Sequence, residues 1–198
     1  PGDAIFTTPF TYVATAEVIA ILGATPVFVD VYESTYNIDC DKLEIEIKRV
    51  INEGKLKPKA IIPVDLFGLP ARYRLIDQIA KKYNLKVIED AAQSFGGSIR
   101  KQKVGTFGDV AATSFYPAKP LGCYGDGGAI FTNDSNLAEK CKAIRIHGTK
   151  NDKYNSEMIG LNGRLDSMQA AVLLEKLSIF DDEITRRNEV NSYYRKFL

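Results

Sequence analysis

Uninterrupted runs of Val, Ile and Phe alternate along this chain with stretches whose apolar residues recur every three or four positions. Residues 4–7 predict a strand, 14–22 a helix stopped by Gly23, and 26–31 a second strand. The spacing then predicts a helix over 41–53 ended by Gly54, a strand over 60–64, a helix over 74–83 and a strand over 85–90. Strands that are apolar throughout, rather than at alternate positions, belong to sheets covered on both faces, and the intervening helices supply the cover. The fold class is therefore α/β, with a mainly parallel sheet flanked by helices. Beyond Gly105 the pattern changes: short strands over 110–115 and 128–132 enclose a loop rich in proline and glycine. A helix over 135–144, capped by Asp134 or Ser135, comes next, then a long helix over 166–177 and further helix from 181. The polar segment 147–157 predicts the most mobile loop, and Arg100-Lys101-Gln102-Lys103 the solvated tip of a hairpin.

Charge narrows the function classes. The 198 residues carry 26 basic and 25 acidic side chains, a net of +1, which gives no electrostatic case for a nucleic acid or an anionic membrane partner. No run approaches the ~20 apolar residues of a membrane span. Cys40, Cys123 and Cys141 are odd in number and lack CxxC spacing, so they read as reduced thiols of a cytoplasmic protein, and no metal site is expected. Pro1-Gly2-Asp3 leads straight into a strand, while 190–198 stop inside a helical pattern without a cap. Both ends predict a piece of a longer protein.

Two residues carry the candidate chemistry. Lys119 stands between Pro117 and Pro120 (sequence FYPAKPLG), and Asp90 ends the apolar run Val87-Ile88-Glu89-Asp90. A lysine on a stiff loop and a carboxylate at a strand end suit an enzyme of pyridoxal 5'-phosphate (PLP). The amine condenses with the aldehyde, and the carboxylate faces the pyridine nitrogen. Spacing alone leaves alternatives open: an exposed lysine in a proline-rich loop, and an aspartate capping the next helix. Glu89 points to the opposite face of its strand. Gln93, within DAAQSFGG, has an amide suited to the cofactor's phenolic oxygen or, equally, to loop backbone, and Ser114 has a hydroxyl suited to a phosphate. The glycines of Gly122-Cys123-Tyr124-Gly125-Asp126-Gly127-Gly128 lack the order of either common phosphate motif and precede a strand, so they are expected to permit tight turns.

Taken together, EDAAQSFGG, TSFYPAKPLGCYGDGGAIFTND, IGLNGRLDSMQAAVLLEKL and the opening TTPFTYVATAEVIAILGATPVFVDV resemble successive signatures of the DegT/StrS-type nucleotide-sugar aminotransferases. The likeness covers nearly the whole chain. It implies the large domain of a type I PLP transferase over residues 1–180, with 181–198 beginning the helix toward a small C-terminal domain. It also implies a phosphate-binding Gly-Thr loop upstream of residue 1. Carried over by position, Lys119 bears the cofactor and Ser114 contacts its phosphate. Asp90 and Gln93 meet the ring nitrogen and phenolic oxygen, and Tyr12 stacks on the ring, where core packing is the bland alternative. Asn162 reaches the phosphate of the neighbouring subunit in a homodimer with shared active sites, and Arg164 serves the interface or the substrate. The implied reaction moves an amino group, from L-glutamate as donor, to a keto group of a nucleotide-linked sugar. KPLGCYGD looks most like members acting on UDP-linked 3-keto sugars for bacterial surface polysaccharides. Dehydrating relatives carry histidine where this chain keeps Lys119. The rival expectations are a PLP-free nucleotide-binding module and a non-catalytic regulator built on the PLP fold.

Overall fold

In the computed structural model, residues 1–149 and 154–198 are described. Residues 150–153 belong to the 147–157 loop, so the predicted mobility of that loop lies outside the described residues. Strands β1 (Asp3–Thr7), β2 (Thr25–Phe28), β3 (Lys57–Ile62) and β4 (Lys86–Asp90) alternate with helices α1 (Ala14–Ile21), α2 (Cys40–Glu53) and α3 (Tyr73–Tyr83). A two-strand hairpin, β5 (Ser98–Ile99) and β6 (Gln102–Lys103), then leads to β7 (Val110–Ser114) and β8 (Gly128–Phe131). Helices α4 (Ser135–Ile144), α5 (Ser167–Ser178) and α6 (Phe180–Phe197) complete the chain. The main sheet has the order β2-β1-β3-β4-β7-β8, and β1 to β2, β1 to β3, β3 to β4 and β4 to β7 all pair in parallel. The α/β expectation holds.

Two compact units are present: residues 1–113 with 129–142, and residues 114–128 with 143–198. The first contains the core. Phe6, Ile61 and Val87 from the strands meet Leu43 and Ile47 of α2 and Ile76 of α3, all of them buried. These helical positions lie one turn apart on a single stripe, which is why α2 and α3 are amphipathic although the strands are not. The Asp39 side chain accepts from the Asp41 and Lys42 amides to begin α2, and Gly54 at φ 63° ends it. The basic hairpin tip is as expected. Arg100 and Lys101, both at positive φ, form the two-residue turn whose twist suits paired strands.

Some boundaries move for local reasons. Strand β2 stops at Phe28 instead of running to 31, since after Val29 bonds Thr7 the chain turns back, with Tyr32 N–H donating to Asn37. Strand β3 begins earlier and ends at Ile62, because Pro63 has no N–H to continue a ladder. Glycines matter here through space as well as dihedral angle. Gly108 sits at φ +68°, and a Cβ there would lie 2.7 Å from the Val87 carbonyl oxygen. Gly108→Ala is expected to cost about 1–3 kcal/mol. The test is a urea midpoint, and an unchanged midpoint would contradict the close packing of this turn on β4.

Candidate cofactor and substrate site

Parallel strands end at one edge of the sheet, the edge at which open α/β folds place ligand groups. Asp90 is the last residue of β4 and stands there half-buried. Its Oδ2 accepts from Thr15 Oγ1 at 2.8 Å and its Oδ1 from the Ala92 N–H at 3.2 Å. Its backbone is fixed too: Asp90 N–H donates to Pro63 O, and Asp65 N–H donates to Asp90 O. Among the described residues no lysine or arginine pairs with this carboxylate. Neutral donors hold its rotamer, leaving its charge for a ligand.

Gln93 makes the bond to loop backbone that the sequence offered as one of its two readings. Its Oε1 accepts the Phe67 N–H at 2.8 Å, which fixes the amide plane and leaves the NH2 free to donate. Tyr12 is 72% exposed, so the core-packing alternative for it is excluded. Asp90, Gln93 and Tyr12 all belong to the first unit, and the contacts within it join Asp90 to α1 through Thr15.

Ser114 and Lys119 belong to the second unit. Ser114 Oγ accepts the Tyr116 N–H at 3.2 Å, so its own proton remains available to donate. A tight turn follows, closed by Lys119 N–H donating to Tyr116 O at 2.8 Å. Gly122 is required by contact: a Cβ there would lie 2.6 Å from the Pro117 carbonyl oxygen. The glycines of 122–128 adopt no left-handed conformation, so the expectation of tight turning is corrected; they allow close approach instead. Helices tie the loop down. Lys176 Nζ donates to Gly122 O at 2.6 Å, Arg187 to Pro120 O at 3.2 Å, and Gln169 Oε1 accepts the Tyr124 N–H at 2.7 Å. Lys119 itself is half-buried, and its ammonium has no hydrogen-bond or ion-pair partner among the described residues. Asn162 is exposed on a segment braced by Leu161 and Gly163 N–H bonds to Ile144 and Arg145, and its Oδ1 accepts from Arg164 Nε at 3.0 Å.

A family model described as the DegT/DnrJ/EryC1/StrS aminotransferase family matches residues 1–198. The chain belongs to that family. It is 51% identical over 194 residues to the UDP-2-acetamido-2-deoxy-3-oxo-D-glucuronate aminotransferase of Pseudomonas aeruginosa, covering 98% of this chain and 52% of that protein. It is 47% identical over 198 residues to a pleiotropic regulatory protein of Geobacillus stearothermophilus, covering 100% and 51%. A solved DegT/DnrJ/EryC1/StrS aminotransferase from Brucella abortus superposes with a TM-score of 0.97 at 55% identity, over 99% of this chain and 52% of that one. The chain thus spans about half the length of these relatives.

DegT-family aminotransferases depend on PLP, and the residues present fit that group on two observations. Lys119 is a half-buried primary amine with no hydrogen-bond or ion-pair partner among the described residues, so the group that condenses with an aldehyde is uncommitted. Asp90 is a carboxylate oriented by hydroxyl and amide donors with no cation beside it, as a positively charged ring nitrogen requires. Two participants were not found from sequence. Thr15 gave no signal beyond its place on a helix. Asp65 did give one: a charged residue directly after the apolar run Ile61-Ile62-Pro63-Val64.

Proposed function

We propose that the intact protein containing this chain transfers an amino group from L-glutamate to the keto group of a nucleotide-linked sugar, a UDP-linked 3-keto sugar, in bacterial surface polysaccharide synthesis. The observation that carries the proposal is a half-buried, unpaired Lys119 within a chain that matches the aminotransferase family throughout. When bound, PLP supplies an electron sink that weakens the bond between an amino acid's Cα and its hydrogen. Lys119 Nζ would hold the cofactor and, as the nearby amine, would accept and return the substrate-carbon proton. Asp90 would hold a proton on the ring nitrogen by its negative charge, with Thr15 keeping that carboxylate in place. Ser114 Oγ would donate to the phosphate, the Gln93 amide would donate to the phenolic oxygen, and Tyr12 would supply an aromatic face for the ring. Asn162 serves the site of a second copy, so the working unit is a homodimer in the cytoplasm. No helix among the described residues is long and apolar enough to cross a membrane.

Similarity to a protein named as a regulator favours one second reading, a PLP-binding relative without transfer activity. An assay of the intact protein with glutamate and a panel of nucleotide keto sugars separates the two. The proposal expects turnover, fastest with a UDP-linked 3-keto sugar; a yellow protein inactive on every keto sugar supports the regulator. The shared site has its own test. Mixing Asn162→Ala with Lys119→Ala subunits is expected to restore up to about half of the native sites in each heterodimer. No recovered activity would contradict a site built from two copies.

A further inference from the structure

Beneath the Asp90 edge lie two carboxyl groups that the proposed reaction does not use. Asp65 and Glu89 are both 0% exposed. Asp65 Oδ1 accepts from the Ala71 N–H at 2.9 Å and the Tyr73 hydroxyl at 2.8 Å, and its Oδ2 from Ser94 Oγ at 2.9 Å. Glu89 Oε1 accepts the Gly105 N–H at 2.8 Å and its Oε2 the Phe107 N–H at 2.9 Å. Val64 bridges Asp90 in parallel, so Asp65 and Glu89 share the opposite face of neighbouring strands, and Tyr73, which donates to Asp65, stacks at 4.4 Å on Phe107, whose N–H donates to Glu89. No lysine or arginine pairs with either among the described residues; the other ionisable groups facing them are the Tyr73 hydroxyl and Asp90. Two carboxylates buried on one face of adjacent strands, with no cation beside them, do not both stay charged.

We propose that Asp65 and Glu89 form a proton-sharing pair that bears a single negative charge and positions the Asp90–Ser94 turn for the cofactor. This inference rests on the PLP reading above. Asp65 bonds Ser94 through its side chain and Asp90 through its N–H, while Phe67, two residues on, fixes Gln93. Asp90 and Gln93 are thereby both tied to the segment 65–67, which the buried Asp65 carboxylate in turn ties to Ser94. Glu89 is the protonated partner. Burial, then the charge of Asp65, pushes it up from the ordinary 4.5 to about 7. A protonated carboxyl suits this place where an amide does not. Its hydroxyl oxygen can accept a backbone N–H and still donate to Asp65, whereas the NH2 of glutamine would oppose the Gly105 or Phe107 N–H.

Because the folded pKa of Glu89 lies above the unfolded value, the stability tied to its neutral form is complete below about 4.5 and is lost as pH rises through about 7. Infrared spectra of the intact apoprotein are the test. A buried protonated carboxyl band is expected at pH 6, fading toward pH 8 and absent in Glu89→Gln. No such band in the wild type at pH 6, or one that persists in Glu89→Gln, would overturn the pair. PLP affinity supplies the second readout. Each of Glu89→Gln and Asp65→Asn is expected to weaken binding about tenfold, and the double variant less than the product of the two. Independent, multiplicative losses would also overturn it. The infrared measurement needs no cofactor, so its failure bears on the pair alone, whereas wild-type protein that shows the band but does not bind PLP defeats the functional reading instead.

Discussion

Lys119→Ala in the intact protein is expected to lower amino transfer by about 10³-fold or more, with little change in folding stability. The size follows from the two tasks assigned to one amine, covalent attachment and proton transfer, the second of which alone is worth about 10²–10⁴-fold. The neutral effect on stability follows from the structure. The Lys119 side chain makes no hydrogen bond or ion pair among the described residues, and its loop is held instead by Lys176, Arg187 and Gln169. Lys119→Arg is expected to be equally inactive, because a guanidinium stays charged and cannot condense with an aldehyde. Steady-state rates beside a thermal melt check both statements. A variant that melts normally and retains most of its activity would contradict them.

Asp90→Asn carries the second large effect, a loss of about 10²-fold or more in kcat. An amide of the same shape can keep the bonds to Thr15 and Ala92 but has no charge with which to hold a proton on the ring nitrogen. Electron withdrawal through the ring then weakens. Thr15→Val tests the support for that carboxylate separately. It removes the 2.8 Å bond while leaving the charge, so a smaller loss, about tenfold, is expected. If Thr15→Val were as damaging as Asp90→Asn, orientation rather than charge would be the main contribution. If Asp90→Asn were nearly silent, the assignment of the ring partner would fail.

The residues that gave clear signals did so because a single local rule governed them. Continuous apolar runs marked β1, β3 and β4, since a strand buried on both faces tolerates little else. Gly54 marked the end of α2, and helix α4 matched its predicted bounds. Lys119 and Asp90 stood out because a loop lysine between prolines and a strand-end carboxylate are unusual pairings of residue and place. What could not be read depends on tertiary partners. The bond from Thr15 to Asp90 joins residues 75 positions apart, and no pattern within α1 announces it. Glu89 was correctly directed away from Asp90 by strand alternation, but its burial and its partner Asp65 arise from packing across β3 and β4. The loop glycines were read for their dihedral freedom, whereas Gly122 is needed for the closeness of the Pro117 carbonyl. That closeness exists only once the loop has folded back on itself.

Borohydride reduction of the intact, PLP-loaded protein, followed by peptide mapping, tests the central assignment most directly. The account predicts one reduced pyridoxyl adduct, on Lys119, and none in Lys119→Ala. An adduct on a different lysine of the wild type, or a protein that takes up no PLP, would contradict it.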